Sequence, residues 1–151
     1  MIRKILVATD GSRVAGKAVK YAVGLAKQLD NTASITLLGV IDLFYLMMQD
    51  VSPAMAPARM MMETRDVLKQ ATAEYLDEAL SECREKGVQA KKVMRTGHAV
   101  EEIIKEAVKE KADLIVLGSH GRSALKAAVL GSVAFGVVHK ETRIPVLIVR
   151  K

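Results

Sequence analysis

The sequence predicts an open α/β fold, a single domain over residues 1–151 built on a five-stranded parallel sheet of order 3-2-1-4-5 with helices on both faces. Three observations carry this. Short apolar runs rich in β-branched residues alternate along the whole chain with longer segments whose apolar residues recur at helical spacing. The first run, Ile2 to Ala8, is apolar at nearly every position after Arg3 and Lys4, as a strand buried on both faces must be. Half of the residues are apolar, which suits one core in one domain.

Each element follows in turn. After the first strand, Val14, Ala15, Ala18, Val19, Ala22, Val23, Ala26 and Leu29 mark one face of a helix. A second strand spans Ser34 to Ile41. A helix from about Glu63 to Lys86 takes Val67, Leu68, Ala71, Leu76, Ala79, Leu80 and Cys83 as its buried face. Strand Val88 to Arg95 leads to helix Val100 to Lys109, whose core side is Val100, Ile103, Ile104, Ala107 and Val108. Strand Asp113 to Gly118, a helix starting at Ser132 and strand Pro145 to Arg150 complete the alternation. Parallel strands joined by right-handed crossovers place a ligand site beyond the carboxyl ends of the strands, where the winding reverses. In the order 3-2-1-4-5 the reversal lies between the first and fourth strands, so the loops after Ala8 and after Leu117 should meet.

Composition narrows the function. The formal charge of +6 would suit a nucleic-acid binder, but the basic residues are dispersed, and two Phe, three Tyr and no Trp give little for bases to stack on. A solvated basic surface is expected, without nucleic acid as partner. Cys83 stands alone, so no intramolecular disulfide is expected, in keeping with a cytoplasmic setting. The opening MIRKILVATD has neither the long apolar core nor the cleavage site of a signal peptide, and no membrane span is predicted.

Two glycine constellations flank the reversal. In ATDGSRVAGKAVKYAV, Gly11, Gly16 and Lys17 nearly spell a phosphate loop, but Ala18 stands where that loop needs a metal-binding hydroxyl, and Val14 to Val19 already carry the helical stripe. Asp42, ending the second strand, suits either the metal-binding acid of such a loop or an ordinary turn residue. Asp10, Gly11 and Ser12 remain: a turn and helix cap, with Asp10 placed to accept from a ribose hydroxyl or to hold a phosphate-bound metal. The second constellation, GSHGRSALKAAVLGS, sets Gly118, Gly121, Gly131 and Ser132 after the fourth strand. A bare Gly118 would let a ribose or flat ring reach the backbone, and Gly121 would permit a positive φ that exposes amides. Gly131 and Ser132 open a helix whose free N–H groups favour an anion. Arg122 and Lys126 could add positive charge. The plain alternative is two tight turns and a cap.

These motifs, TDGS after the first strand, Gly-x-x-Gly with nine residues before Gly-Ser after the fourth, and the closing IPVLIV, resemble the universal stress proteins, specifically their ATP-binding branch. That resemblance runs the full length. It implies a Rossmann-like fold of the adenine nucleotide alpha hydrolase type, binding ATP, AMP or ADP, possible with Mg²⁺ or Mn²⁺, and acting as a nucleotide-dependent sensor or adaptor in the stress response. It also implies a homodimer joined partly through Val146 to Val149. By the same resemblance Ala8, Thr9 and Asp10 lie by the ribose and phosphates, and the Val40 backbone meets the adenine edge. Leu117, Gly118, His120, Gly121 and Arg122 line the ribose and phosphates, and Gly131, Ser132 and Val133 hold the phosphate tail. The family often has Glu and then a polar residue after GSVA; Phe135 and Gly136 stand here, which changes the exposed face of the last helix.

No general base is placed to activate water, no Cys and His cluster has metal-ligand spacing, and GSHG is not a serine nucleophile elbow. Binding without fast turnover is the first reading. A slow metal-dependent ATPase or nucleotidyl-transfer enzyme, using Asp10 and a divalent ion, is the alternative. His98 and His139 suit surface or capping roles. The segment of about residues 43–62 holds six of the eight methionines and breaks the rhythm of elements. It reads as an insertion serving as a docking patch for an unknown protein partner, a dimer contact, a flap over the nucleotide, or a plain loop.

Overall fold

The computed structural model describes residues 1–43, 58–121, 130–140 and 142–151, and only the backbone of 58–61. Five strands, β1 (Lys4–Ala8), β2 (Ser34–Ile41), β3 (Ala90–Thr96), β4 (Leu114–Gly118) and β5 (Val146–Val149), form one parallel sheet in the order β3-β2-β1-β4-β5. The predicted strand order and parallel pairing are what the structure has. Between the strands run α1 (Arg13–Gln28), α2 (Ala58–Glu85), α3 (Ala99–Glu110) and α4 (Ser132–His139). Neighbouring positions such as Ala8 and Leu38, or Val7 and Val116, fix the register at the centre.

Alternate residues of each strand feed two cores. Ile5 and Val7, Ile35 and Leu37, Leu114 and Val116 pack against Ala18, Val19, Ala22 and Ala26 of α1 and Leu76, Leu80 and Cys83 of α2. Leu6, Leu38, Ile115 and Leu117 face the other way, onto Val100, Ile103 and Ala107 of α3 and Val137 of α4. Both faces are covered, which is why these strands read as continuous apolar runs. At the amino ends, Asp113 ties β1 to β4 by accepting from the amides of Arg3 and Lys4 at 2.8 and 2.9 Å, and these bonds hold its carboxyl below the usual range.

Three expectations from periodicity need correction. The helix α2 starts at Ala58, not near Glu63, and Val67 on its expected inner face is 66% exposed. A helix of 28 residues spans roughly 42 Å, while an eight-residue strand spans roughly 27 Å, so about ten of its residues overrun the strand. Val108 of α3 is 60% exposed, and Glu106 is buried instead. Arg95 of β3 makes that burial tolerable: its Nε and Nη2 donate to Glu106 at 2.7 and 3.2 Å. Thr72, passed over as polar, is buried because its methyl packs over Gly39.

Gly39 sets how closely α2 lies on β2. A Cβ there would stand 2.7 Å from Thr72 Cγ2 and 3.0 Å from the Tyr75 hydroxyl. Gly39→Ala is therefore expected to cost about 1–3 kcal/mol by overpacking, read as a lowered urea midpoint with unchanged slope. An unchanged midpoint would show that the helix moves away freely.

Candidate functional site

The site grows from the carboxyl ends of β1 and β4, which lie side by side. Beyond β1, the Thr9 amide donates to Leu38 O at 2.9 Å, so the chain leaves the sheet along β2 before turning. Gly11 makes the turn with φ of 77°, a conformation costly to any residue with a Cβ. The Ser12 amide donates to Asp10 Oδ1 at 2.9 Å, and Ser12 Oγ in turn accepts from the Ala15 amide at 3.2 Å. Ser12 is thus the cap of α1, and Asp10 the residue that braces the cap. Gly16 and Lys17 sit within α1, where nothing lies within 4 Å of a Cβ placed on Gly16. The apparent phosphate loop is an ordinary helical turn.

The two loops meet as expected. A Cβ on Gly121 would lie 2.7 Å from Asp10 Oδ2, so the second loop passes directly against that carboxylate. This proximity, and not a positive φ, is what the bare position serves: Gly121 lies outside the left-handed range, and a side chain there would have to push the Asp10 carboxylate aside. Gly118 is bare where α1 packs against it. A Cβ there would meet Val14 Cγ1 at 3.0 Å and the Ala15 amide at 3.2 Å, so the space lets α1 start tight against β4.

Gly131 joins the two halves of the second constellation. Its amide donates to Ser119 O at 2.7 Å, and a Cβ on it would stand 3.2 Å from His120 Cα. That amide is consequently committed within the protein. Gly131 is the cap of α4 but brings no side-chain acceptor, so Ser132 and Val133, both exposed, open the helix with no acceptor from the cap position. Ser132 is the first helical residue and not itself the cap.

Ser119, which sequence reasoning passed over, is the junction. Its amide donates to Val149 O at 2.8 Å, its carbonyl receives Gly131, and its Oγ shares a hydrogen bond of 2.9 Å with His120 Nδ1. Ser119 is 3% and His120 8% exposed. A signal existed: a small polar residue held between an apolar strand and Gly121.

The other candidates resolve simply. Ala8 and Val40 are half-buried at strand ends, Leu117 and Thr9 are buried, and Thr9 Oγ1 accepts from the Gly11 amide at 3.3 Å. Asp42 accepts from the Ala99 amide at 3.0 Å, capping α3 where His98 at the cap position makes no such bond. The turn-residue reading of Asp42 is the one its geometry fits. His139 stacks on Phe135 at 3.9 Å and its Nδ1–H donates to the Phe135 carbonyl at 2.9 Å. Gly136 lets α4 close on α3, since a Cβ there would be 2.6 Å from Val100 Cγ2. Arg122, Lys126 and residues 44–57 of the Met-rich segment lie outside the described residues. Among the described residues no three His, Cys, Asp or Glu side chains converge as a metal site would need, and no helix is long and apolar enough to cross a membrane. Burial, with the Glu82 charge adding to it, pushes the Cys83 thiol up to about 11.

This arrangement of strand order and paired loops is shared with known proteins. The model of the universal stress protein family matches residues 1–150. The chain belongs to that family. Among its relatives, universal stress protein YxiE of Bacillus subtilis is 37% identical over 153 residues, spanning 99% of this chain and all of its own. The solved structure of MJ0577 from Methanocaldococcus jannaschii superposes with a TM-score of 0.81 at 29% identity, covering 100% of this chain and 97% of the other. A member from Arabidopsis thaliana, solved with AMP bound, shares the fold with a TM-score of 0.67 at 21% identity over 99% of this chain and 92% of its own.

For this universal stress protein, Gly16→Ala tests the discarded phosphate loop. It should raise stability by about 0.5–1 kcal/mol, the usual gain of alanine over glycine inside a helix. Loss of stability in urea unfolding would mean that the bare position serves something other than the helix.

Proposed function

We propose that the protein binds an adenine nucleotide, ATP or its relatives ADP and AMP, at the carboxyl end of the sheet, and that the bound state is what a partner senses in the stress response. One observation carries the reading. The Asp10 carboxylate and the Gly121 backbone are brought together beside the start of α4, whose cap residue Gly131 brings no side-chain acceptor, and this supports ribose acceptors and phosphate donors serving one ligand. Family membership supports it, and the Arabidopsis member holds AMP on the same type of sheet.

In this reading the ribose and phosphates lie against Ala8, Thr9, Asp10, Leu117, Gly118 and Gly121, with His120 buried within the same turn, the adenine edge meets the Val40 backbone, and Ser132 and Val133 offer amides to the phosphate tail. Gly131 contributes its missing side chain, since its amide is already used. Arg122, by sequence position, belongs to the same loop. Mg²⁺ or Mn²⁺ arriving with the nucleotide would find in Asp10 a carboxylate next to the phosphates, which suffices for an ion that keeps most of its water. A cytoplasmic setting, where adenine nucleotides are available, belongs to the same proposal.

The two sheet edges also differ. β3 is hedged by ion pairs of Lys91 with Glu110, Lys92 with Asp77 and Arg95 with Glu106, while β5 presents the uncharged, half-buried Val146, Leu147, Ile148 and Val149. Charges blunt a sheet edge against pairing, and a bare apolar edge invites it. The homodimer proposed through β5 fits this contrast, and a single monomeric mass in sedimentation equilibrium at micromolar protein would overturn it.

The nucleotide reading is tested by mass spectrometry of ligand carried through purification and by calorimetric titration with ATP. Wild-type protein should bind an adenylate. Gly121→Val, which drives a branched side chain into Asp10, should abolish that binding with circular dichroism unchanged. Retention equal to wild type would remove the loop from the site.

A further inference from the structure

We infer that Ser119 and His120 form a positioning pair that sets the phosphate-facing amides of α4, so that they control affinity for the phosphates without control over the nucleoside. The inference rests on the nucleotide reading above and deepens it, giving His120 a role through its neighbour in place of a direct ligand contact.

The geometry is specific. Ser119 and His120 are both more than nine-tenths buried, and their side chains share the 2.9 Å hydrogen bond between Oγ and Nδ1. Out of reach of bulk water, such a bond has no ready substitute, so it fixes the rotamers of both residues. The backbone of the same dipeptide carries the start of α4. Gly131 donates its amide to Ser119 O at 2.7 Å, and a Cβ on Gly131 would approach His120 Cα, Ser119 O and the Gly121 amide at 3.2, 3.3 and 3.6 Å. Helix α4 therefore begins in contact with this dipeptide, and Ser132 and Val133 follow within the same turn. On its other side Ser119 is anchored to the sheet through Val149 O. Any rotation of the 119–120 peptide moves the helix start relative to Asp10, and a group aimed at phosphate loses most of its worth when displaced by a fraction of an ångström. The adenine end, at Val40 on β2, lies on the far side of β1 from this junction and makes none of these contacts.

Which ring nitrogen is used decides the test. The amide end of Asn occupies roughly the place of Nδ1, whereas that of Gln reaches to the place of Nε2. Titration calorimetry with ATP and with adenosine should be run on wild type, Ser119→Ala, His120→Gln and His120→Asn, with the melting temperature of each unliganded protein. The expected result is a loss of about tenfold in ATP affinity for Ser119→Ala and His120→Gln, with adenosine affinity where it was and most of the ATP affinity restored in His120→Asn. Equal losses for ATP and adenosine would overturn the inference, since general damage to the fold would then explain them. So would unchanged ATP affinity in Ser119→Ala, or identical behaviour of the Asn and Gln variants. If Ser119→Ala fails to fold, the contrast of Asn and Gln at position 120 decides alone. Wild-type protein that binds neither ligand would instead bring down the nucleotide reading, a result separable from the others because it needs no variant.

Discussion

Parallel pairing of β1 with β4 is the constraint from which the rest of the site follows. Two strands entering the sheet from the two halves of the chain end at the same level, so whatever follows Ala8 must share space with whatever follows Gly118. Asp10 and Gly121 are neighbours for this reason, although 111 positions separate them along the chain, the difference between 121 and 10. A helix starts beside each loop, α1 directly after the first and α4 at the end of the second. The first receives a side-chain cap from its own Ser12, and the second, with glycine at the cap position, receives none from that residue.

Glycines carry much of this design, each against a particular neighbour. Gly118 yields to the first turn of α1, Gly121 to the Asp10 carboxylate, Gly131 to the Ser119–His120 backbone and Gly136 to Val100. Only Gly11 in this region is required by its backbone angle. Contacts this close at Gly118, Gly121 and Gly131 fix how the described ends of the loops sit against α1, Asp10 and the Ser119–His120 backbone.

The sheet was legible in the sequence because alternation of strand and helix, with right-handed crossovers, leaves few topologies open. The glycine positions were legible as well, but not the packing around them: periodicity and turn chemistry speak of the local chain, while the atoms that crowd a Cβ at Gly118 or Gly121 come from elsewhere in the fold. The same limit explains Val67 and Val108. Helical spacing shows which face is apolar but not whether anything lies beneath it. Glu106 is buried with Arg95 reaching it from β3, and Asp42 found its amide on α3, 57 residues away. Ser119 was missed for the converse reason, its importance lying in main-chain bonds that any residue type can make.

The single cysteine has a consequence for how such a protein can respond to its surroundings. With the Cys83 thiol fully buried and its pKa pushed up to about 11, the thiolate is a very minor form at neutral pH. Sulfenic acid, glutathione adducts and intermolecular bridges all begin from that anion. Peroxide and electrophiles therefore find little chemical handle at this residue, and the packing of α1 and α2 on the sheet is insulated from thiol chemistry at its one cysteine.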